Sequence, residues 1–276
     1  MSELNIPILL INRDKDSERL AHMERSAAAE GFTFERVSAV EGFNVPVEIR
    51  DQFLRADGTP HARMFPGEVG CYASHLVCCK KILDSGADTT LVIEDDIELV
   101  PGFIGVVAGA LENAGKDWDI IRLSSMPRGA VLSIAPLTND HHLVKYLRLP
   151  KLTGAQLWSR RGAAKFLKAR TRVRAVDADL RYGWESDLKM LGVYPPPALQ
   201  TEMFASGISS SGVSRRKERG GRWQQITLAS RLAGMRASVD DLGVTGYGRC
   251  LVRAWAARLG QRPKDLVVLG ERTRSQ

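Results

Sequence analysis

The amino-acid sequence predicts an α/β protein: a mostly parallel sheet flanked by helices, with a basic and mostly helical extension at the C-terminal end. Three observations carry that expectation. Apolar, strand-like runs alternate with helix-like stretches through most of the 276 residues, the pattern of a sheet covered by helices on its faces. The hydrophobic fraction of 44% and the charged fraction of 26% are those of an ordinary globular chain with a sizeable core. Charge is unevenly spread. Of the net +7, the stretch Val213 to Gln276 holds 14 Lys and Arg against 5 Asp and Glu, so residues 1–212 carry −2.

Taken in order, "IPILLIN" is a first strand, too short for a signal-peptide core and without a basic flank. "RDKDSERLAHMERSAAAEG" follows as a loop and a helix, with Gly31 as its stop. "FTFERVSAV" alternates like a second strand. The Pro-, Gly- and charge-rich stretch after it reads as a long, partly irregular connection. "EVGCYASHLVCCKKILDSG" is then a helix ending at Gly86, "TTLVIEDD" a strand, "FIGVVAGALENAG" a helix and "WDIIRLSS" a strand. "LTGAQLWSRRGAAKFLKAR" is a strand turning into a helix. Beyond Gly207, "SSSGVSRRKERGGRW" is polar and basic, as in a linker or mobile loop. Two or three helical patterns follow, among them "QQITLASRLAGMRA" and "RCLVRAWAARLG". No run approaches the roughly 18 apolar residues of a membrane span.

Chemistry concentrates where "TTLVIEDD" ends. Glu94, Asp95 and Asp96 are three adjacent carboxylates at the carboxyl end of a strand, the edge where open α/β sheets bind ligands. Their mutual repulsion is relieved either by water, in a solvated acidic turn, or by a hard cation such as Mg²⁺ or Mn²⁺. In the preceding helix, Glu68, Cys71 and His75 fall within about 60° of one another on one face. A polar triplet on an otherwise apolar helix needs partners, structural or catalytic. Cys71, Cys78, Cys79 and Cys250 show neither CxxC nor the Cys/His spacing of a zinc site, and reduced thiols in a cytoplasmic protein are expected. The basic C-terminal quarter is either a solvated Arg-rich surface or a contact for something anionic: phospholipid, phosphorylated saccharide or nucleic acid. Nucleic acid is disfavoured, because just one Trp, Trp223, accompanies the Arg cluster and no reader motif is present. A two-metal nuclease or phosphatase would use the carboxylates but leave "GEVGCYASH" unexplained.

Read together, these pieces resemble glycosyltransferase family 25, the bacterial lipooligosaccharide and lipopolysaccharide-core galactosyltransferases and the procollagen galactosyltransferases. The opening strand with Ile11 and Asn12, then Arg19, matches its start, and "RVSAVEG", ending at Gly42, its next element. The G-E-x-G-C-x-x-S-H pattern is complete in Gly67, Glu68, Gly70, Cys71, Ser74 and His75. "VIEDD", "WDIIRLSS", "SRRGA" (Ser159 to Ala163), Val176 with Asp177, and "PPALQ" with Ser206 beyond continue in family order. Gln156 stands where an aromatic residue is frequent. The resemblance spans about residues 6–209 and leaves the tail uncovered.

That resemblance implies a GT-A-like fold using a UDP-sugar and Mn²⁺ (or Mg²⁺). It implies a catalytic domain over 1–212, with 1–125 mainly binding the nucleotide sugar and 126–212 mainly on the acceptor side; the basic, mostly helical C-terminal extension over 213–276 lies outside the resemblance. Asp96 and Glu94 would ligate the metal. Asn12, Arg19, Glu68, Ser74, His75, Glu94, Asp95, Gln200 and Ser206 would bind the nucleotide sugar, with Arg19 suited to phosphate. Inverting transfer needs a base for the acceptor hydroxyl, and Asp177 leads Asp179 for that role. Asp177 as a third metal ligand or as a helix cap stays open. The implied reaction moves a hexose, galactose from UDP-galactose first, onto a lipid-linked saccharide of the lipopolysaccharide type. The implied place is the cytoplasm, peripheral at the inner face of the membrane, with residues 213–276 on anionic lipid. The alternative is a non-catalytic module of the same fold held at a membrane by its basic tail.

Overall fold

The computed structural model describes residues 4–127, 129–201, 228–258 and 267–269. β1 (Ile8–Asn12) is buried along its whole length because the sheet is covered on both faces. Leu9 and Ile11 enter one apolar core, Ile8 and Leu10 the other, following the period-two alternation of a strand. α1 (Ser17–Glu30) stops at Gly31, whose φ of 75° is a left-handed conformation open to glycine. β2 (Glu35–Ser38) follows, and the long connection holds one turn of helix, α2 (Val47–Arg50). α3 (Pro66–Ser85) begins with Pro66 in its first turn, where a missing N–H costs nothing, and ends at left-handed Gly86. It leads into β3 (Thr89–Glu94), β4 (Ile97–Leu99), α4 (Phe103–Asn113) and β5 (Ile120–Arg122).

Beyond β5 the structure adds a hairpin that the sequence pattern did not announce. β6 (Val131–Pro136) and β7 (His142–Tyr146) form an antiparallel hairpin. β8 (Ala155–Ser159) turns into α5 (Arg160–Leu167), where Ser159 Oγ caps the helix by accepting from the Gly162 N–H at 3.0 Å. Then come α6 (Val176–Leu180), a 3₁₀ turn (Gly183–Ser186), β9 (Met190–Tyr194) and β10 (Ala198–Gln200). The tail's helical patterns form one long element, α7 (Leu228–Arg258), broken at Gly243, where φ is 70° and ψ 159°. β11 (Val267–Leu269) was not expected as a strand.

Nine strands make one sheet in the order β11-β6-β7-β9-β5-β8-β3-β1-β2, while β4 and β10 pair separately. Only β7 and β8 run against the other seven strands. The mostly parallel, helix-flanked sheet therefore stands as expected. Its reversals have a consequence for function: β8 enters the sheet between β3 and β5 from the edge where β1, β3 and β5 end. Asn12, Glu94 and the loops 123–127 and 147–154 all gather there. The extension is not detached from this sheet, since β11 pairs with β6 and α7 packs on β6 and β7.

Candidate active site

The three carboxylates at the end of β3 differ in what surrounds them. Asp95 is buried and held from both sides: Asn12 donates through Nδ2 at 2.7 Å and Arg19 through Nη1 at 3.1 Å. Burial pushes its pKa up, with Asn12 and Arg19 pulling against it. Asn12 is itself oriented, because its Oδ1 accepts from Arg36 Nε at 2.8 Å. Glu94 lies 3.0 Å from His75 Nε2. Burial opposes its charge, but the His75 hydrogen bond and charge, the Thr153 hydrogen bond and Arg122 outweigh it and hold the pKa below its usual range. Asp96 has one side-chain partner among the described residues, Gln200 Nε2 at 3.4 Å. Burial, then the charges of Glu94 and Asp95, raise its pKa to about 6. Asp96 is the carboxylate that the protein leaves uncompensated.

Two clefts meet at this strand end. The first, about 280 Å³, is walled by Asn12, Lys15, Arg19, Gly42, Ser74 and His75. The second, about 250 Å³, is walled by Glu68, Thr153, Val176, Asp177 and Gln200. Cys71, Glu94 and Asp96 belong to both. Helix α3 supplies the shared wall and approaches the 40–42 turn closely at Gly70, where an added Cβ would lie 2.3 Å from the Val40 carbonyl oxygen. Ser74 fastens that approach, donating to Gly70 O and accepting from Val40 N, both at 2.8 Å. These contacts give a physical reason for the glycine and serine of "GEVGCYASH".

Several expectations change in place or role. Arg19 does reach the first cleft, but its guanidinium pairs with Asp95 where a phosphate was expected. Glu68 opens on the second cleft rather than the first, and one of its oxygens accepts from Phe65 N at the start of α3. Ser74 ties backbone together. Asp179, the second candidate base, lies outside both clefts. Its carboxylate accepts from the Tyr72 hydroxyl at 2.5 Å and from Arg170, and Arg174 bonds it at 3.3 Å. Buried Arg172 completes that cluster, bonding Gln52, Tyr72 and the Phe166 and Lys168 carbonyls. Asp177, by contrast, faces the second cleft with no hydrogen-bond or ion-pair partner among the described residues. Ser206 and the Arg-rich stretch around Trp223 lie outside the described residues.

The structure also brings in residues that the sequence did not single out. Arg122, fully buried, donates to the Lys151 carbonyl at 3.1 Å and to the Leu152 carbonyl, and so holds the loop that walls the second cleft. Leu152 sits at φ 69°, a strained value for a leucine, which that anchor sustains. Gln156, paired with Arg122 across β8 and β5, is buried with neither amide atom bonded. Cys71 stands where the clefts meet. Burial, then Glu94, Asp96, Asp177 and Glu68, push its thiol well up, so it is no nucleophile.

Comparison with known proteins bears on the same stretch. Residues 5–131 match the family model described as glycosyltransferase family 25 (LPS biosynthesis protein), and that span holds β1, α3 and all three carboxylates. A glycosyltransferase 25 family member of Aedes aegypti is 32% identical over 122 residues, covering 41% of this chain and 20% of its own. Human procollagen galactosyltransferase 2 is 26% identical over 145 residues, covering 47% of this chain and 23% of its own. The matches thus span about a fifth of the length of these family 25 relatives. A solved glycosyltransferase involved in glycosylating the major capsid of PBCV-1 aligns with 72% of this chain and 94% of its own, at 9% identity and a TM-score of 0.34. The family 25 match ends at 131, so Asp177 and Gln200 rest on the sequence pattern and on their place in the second cleft.

Proposed function

We propose that this chain is a metal-dependent glycosyltransferase that moves a hexose, galactose from UDP-galactose first, onto a saccharide hydroxyl with inversion. The observation that carries this reading is the meeting of two clefts at one uncompensated carboxylate, Asp96. A donor in the first cleft and an acceptor in the second would bring anomeric carbon and hydroxyl together beside it. Asp96 and Glu94 offer hard oxygen donors that suit Mn²⁺ or Mg²⁺, which when bound supplies positive charge beside the diphosphate. Lys15, at the mouth of the first cleft, adds a cation on the same side. Asp177 acts as the base: its carboxylate takes the proton of the acceptor hydroxyl as that oxygen bonds to the anomeric carbon and the sugar–phosphate bond breaks. Thermal-shift titration of UDP-, GDP- and TDP-sugars, with and without Mn²⁺, tests the reading. UDP binding that depends on Mn²⁺ and is lost in Asp96→Ala is expected. UDP binding indifferent to both EDTA and that substitution would sink the metal assignment. Mn²⁺-dependent binding without transfer to any acceptor would favour the non-catalytic module.

The acceptor we propose is a lipid-linked saccharide of the lipopolysaccharide type, reached at an anionic bilayer surface. Among the described residues no helix is long and apolar enough to cross a membrane. Helix α7 instead exposes Leu228, Leu232 and Met235, which share one face at helical spacing. Arg231 and Arg236 flank that stripe on either side, the arrangement of a helix lying in a bilayer interface. Leu251, Val252 and Trp255 repeat the exposure after the Gly243 break.

A further inference from the structure

We propose that Cys71, His75 and Glu94 form a second cation position, one that takes a thiophilic divalent ion such as Zn²⁺ at the junction of the two clefts. Cys71 and His75 lie one turn apart on α3, so Sγ and the imidazole project from the same face. Glu94 meets them from the end of β3. Their ligand atoms all lie within 4.8 Å of one another, and His75 Nε2 is 3.0 Å from Glu94 Oε1. A tetrahedral zinc site with bonds of about 2.0–2.3 Å requires only small side-chain adjustments from that geometry.

Three further features favour an ion there. His75 is buried and its Nε2 faces Glu94 Oε1, so an ion between them would take the place of the proton that now joins the two side chains. Cys71 is reachable from both clefts, which gives the ion a path in and leaves its fourth position to water or substrate. Glu68, Glu94, Asp96 and Asp177 surround the thiol with negative charge, which opposes a bare thiolate and attracts a dication. Binding displaces the thiol proton to solvent as the sulfur–metal bond forms.

The donor sets divide the two positions by softness. Asp96 offers oxygen alone and suits Mn²⁺ or Mg²⁺, whereas sulfur and imidazole favour Zn²⁺. Because Glu94 serves both, Zn²⁺ at the thiol position withdraws a ligand from the harder one and stands between donor and acceptor. The antagonism rests on the glycosyltransferase reading; the site itself does not.

Co²⁺ titration of the full chain tests the site by absorbance. A near-ultraviolet thiolate-to-cobalt band that saturates at one equivalent, is bleached by Zn²⁺ and vanishes in Cys71→Ser is expected. Zn²⁺ affinity should fall at least about tenfold in the same variant, the loss that even outer-shell changes cause. A band that never forms, or one that persists in Cys71→Ser and so belongs to Cys78, Cys79 or Cys250, overturns the proposal. In Asp96→Ala the band should remain while Mn²⁺-dependent UDP binding is lost. If that variant abolishes the band as well, there are not two positions, and the thiol site is refuted without touching the metal dependence of UDP binding.

Discussion

Asp96→Asn keeps the shape of the side chain at the junction of the clefts and removes its charge. In the folded protein that charge is opposed first by burial and then by Glu94 and Asp95, which raise the carboxyl from 3.8 to about 6. Each pH unit of such displacement is worth about 1.4 kcal/mol. Ionised at neutral pH, Asp96 therefore costs the metal-free fold about 3 kcal/mol before screening, and about 1–2 kcal/mol once water in the clefts is allowed for. The sign follows from proton uptake. With the folded pKa above the unfolded one, the native state binds more protons in that window, so stability falls as pH rises through it and stays lower above about 6. Asparagine cannot ionise. In EDTA at about pH 7.5 the variant should melt about 2–6 °C above wild type, and the gap should close towards pH 4. With Mn²⁺ the order should reverse, because only the carboxylate gains from the ion. Differential scanning fluorimetry across pH reads all three. A variant that melts below wild type in EDTA at neutral pH, or a gap indifferent to pH, refutes the assignment of Asp96 as the uncompensated charge.

Three further outcomes follow from the geometry. Gly70→Ala drives a methyl into the Val40 carbonyl and should cost about 1–3 kcal/mol by denaturant melt, less the small helix-propensity gain of alanine; unchanged stability would mean that α3 and the 40–42 turn separate freely. Asp177→Asn should lower kcat by about 10²–10⁴ with UDP affinity held within twofold, and equal losses in both would remove Asp177 from the role of base. Leu232→Asp with Met235→Asp should release the protein from anionic vesicles at about 0.1 M salt without changing its melt, since both side chains are exposed; binding retained by the pair would leave the α7 stripe without that partner.

How much of this was legible in the sequence depended on how local the cause was. α3 announced itself through Pro66 at its start and Gly86 past its end, both of which act within one turn. The acidic strand end was visible for the same reason. That Asp95 is neutralised and Asp96 is not depends on Asn12 and Arg19, far away in the chain, and no spacing rule reports it. Asp177 and Asp179 look equivalent in "VDADL", yet two residues along a one-turn helix separate a cleft wall from a buried arginine cluster. The β6–β7 hairpin carries a local signal of its own: "TND", with Asn139 and Asp140 both at positive φ, is turn chemistry between two short alternating runs. Cysteine spacing does not report the surroundings of Cys71, because its neighbours are a histidine one turn on and a glutamate on another element.

The three-residue strand β11 has a bearing on how this protein can be handled. Without it, β6 becomes the border of an eight-strand sheet, with backbone N–H and C=O groups of Val131–Ser133 free to recruit another chain. β6 is synthesised long before β11, so a nascent or shortened chain carries an open border until the extension folds back. Loss of soluble protein on trimming the extension would then report self-association at that border, even though both clefts and their carboxylates remain intact.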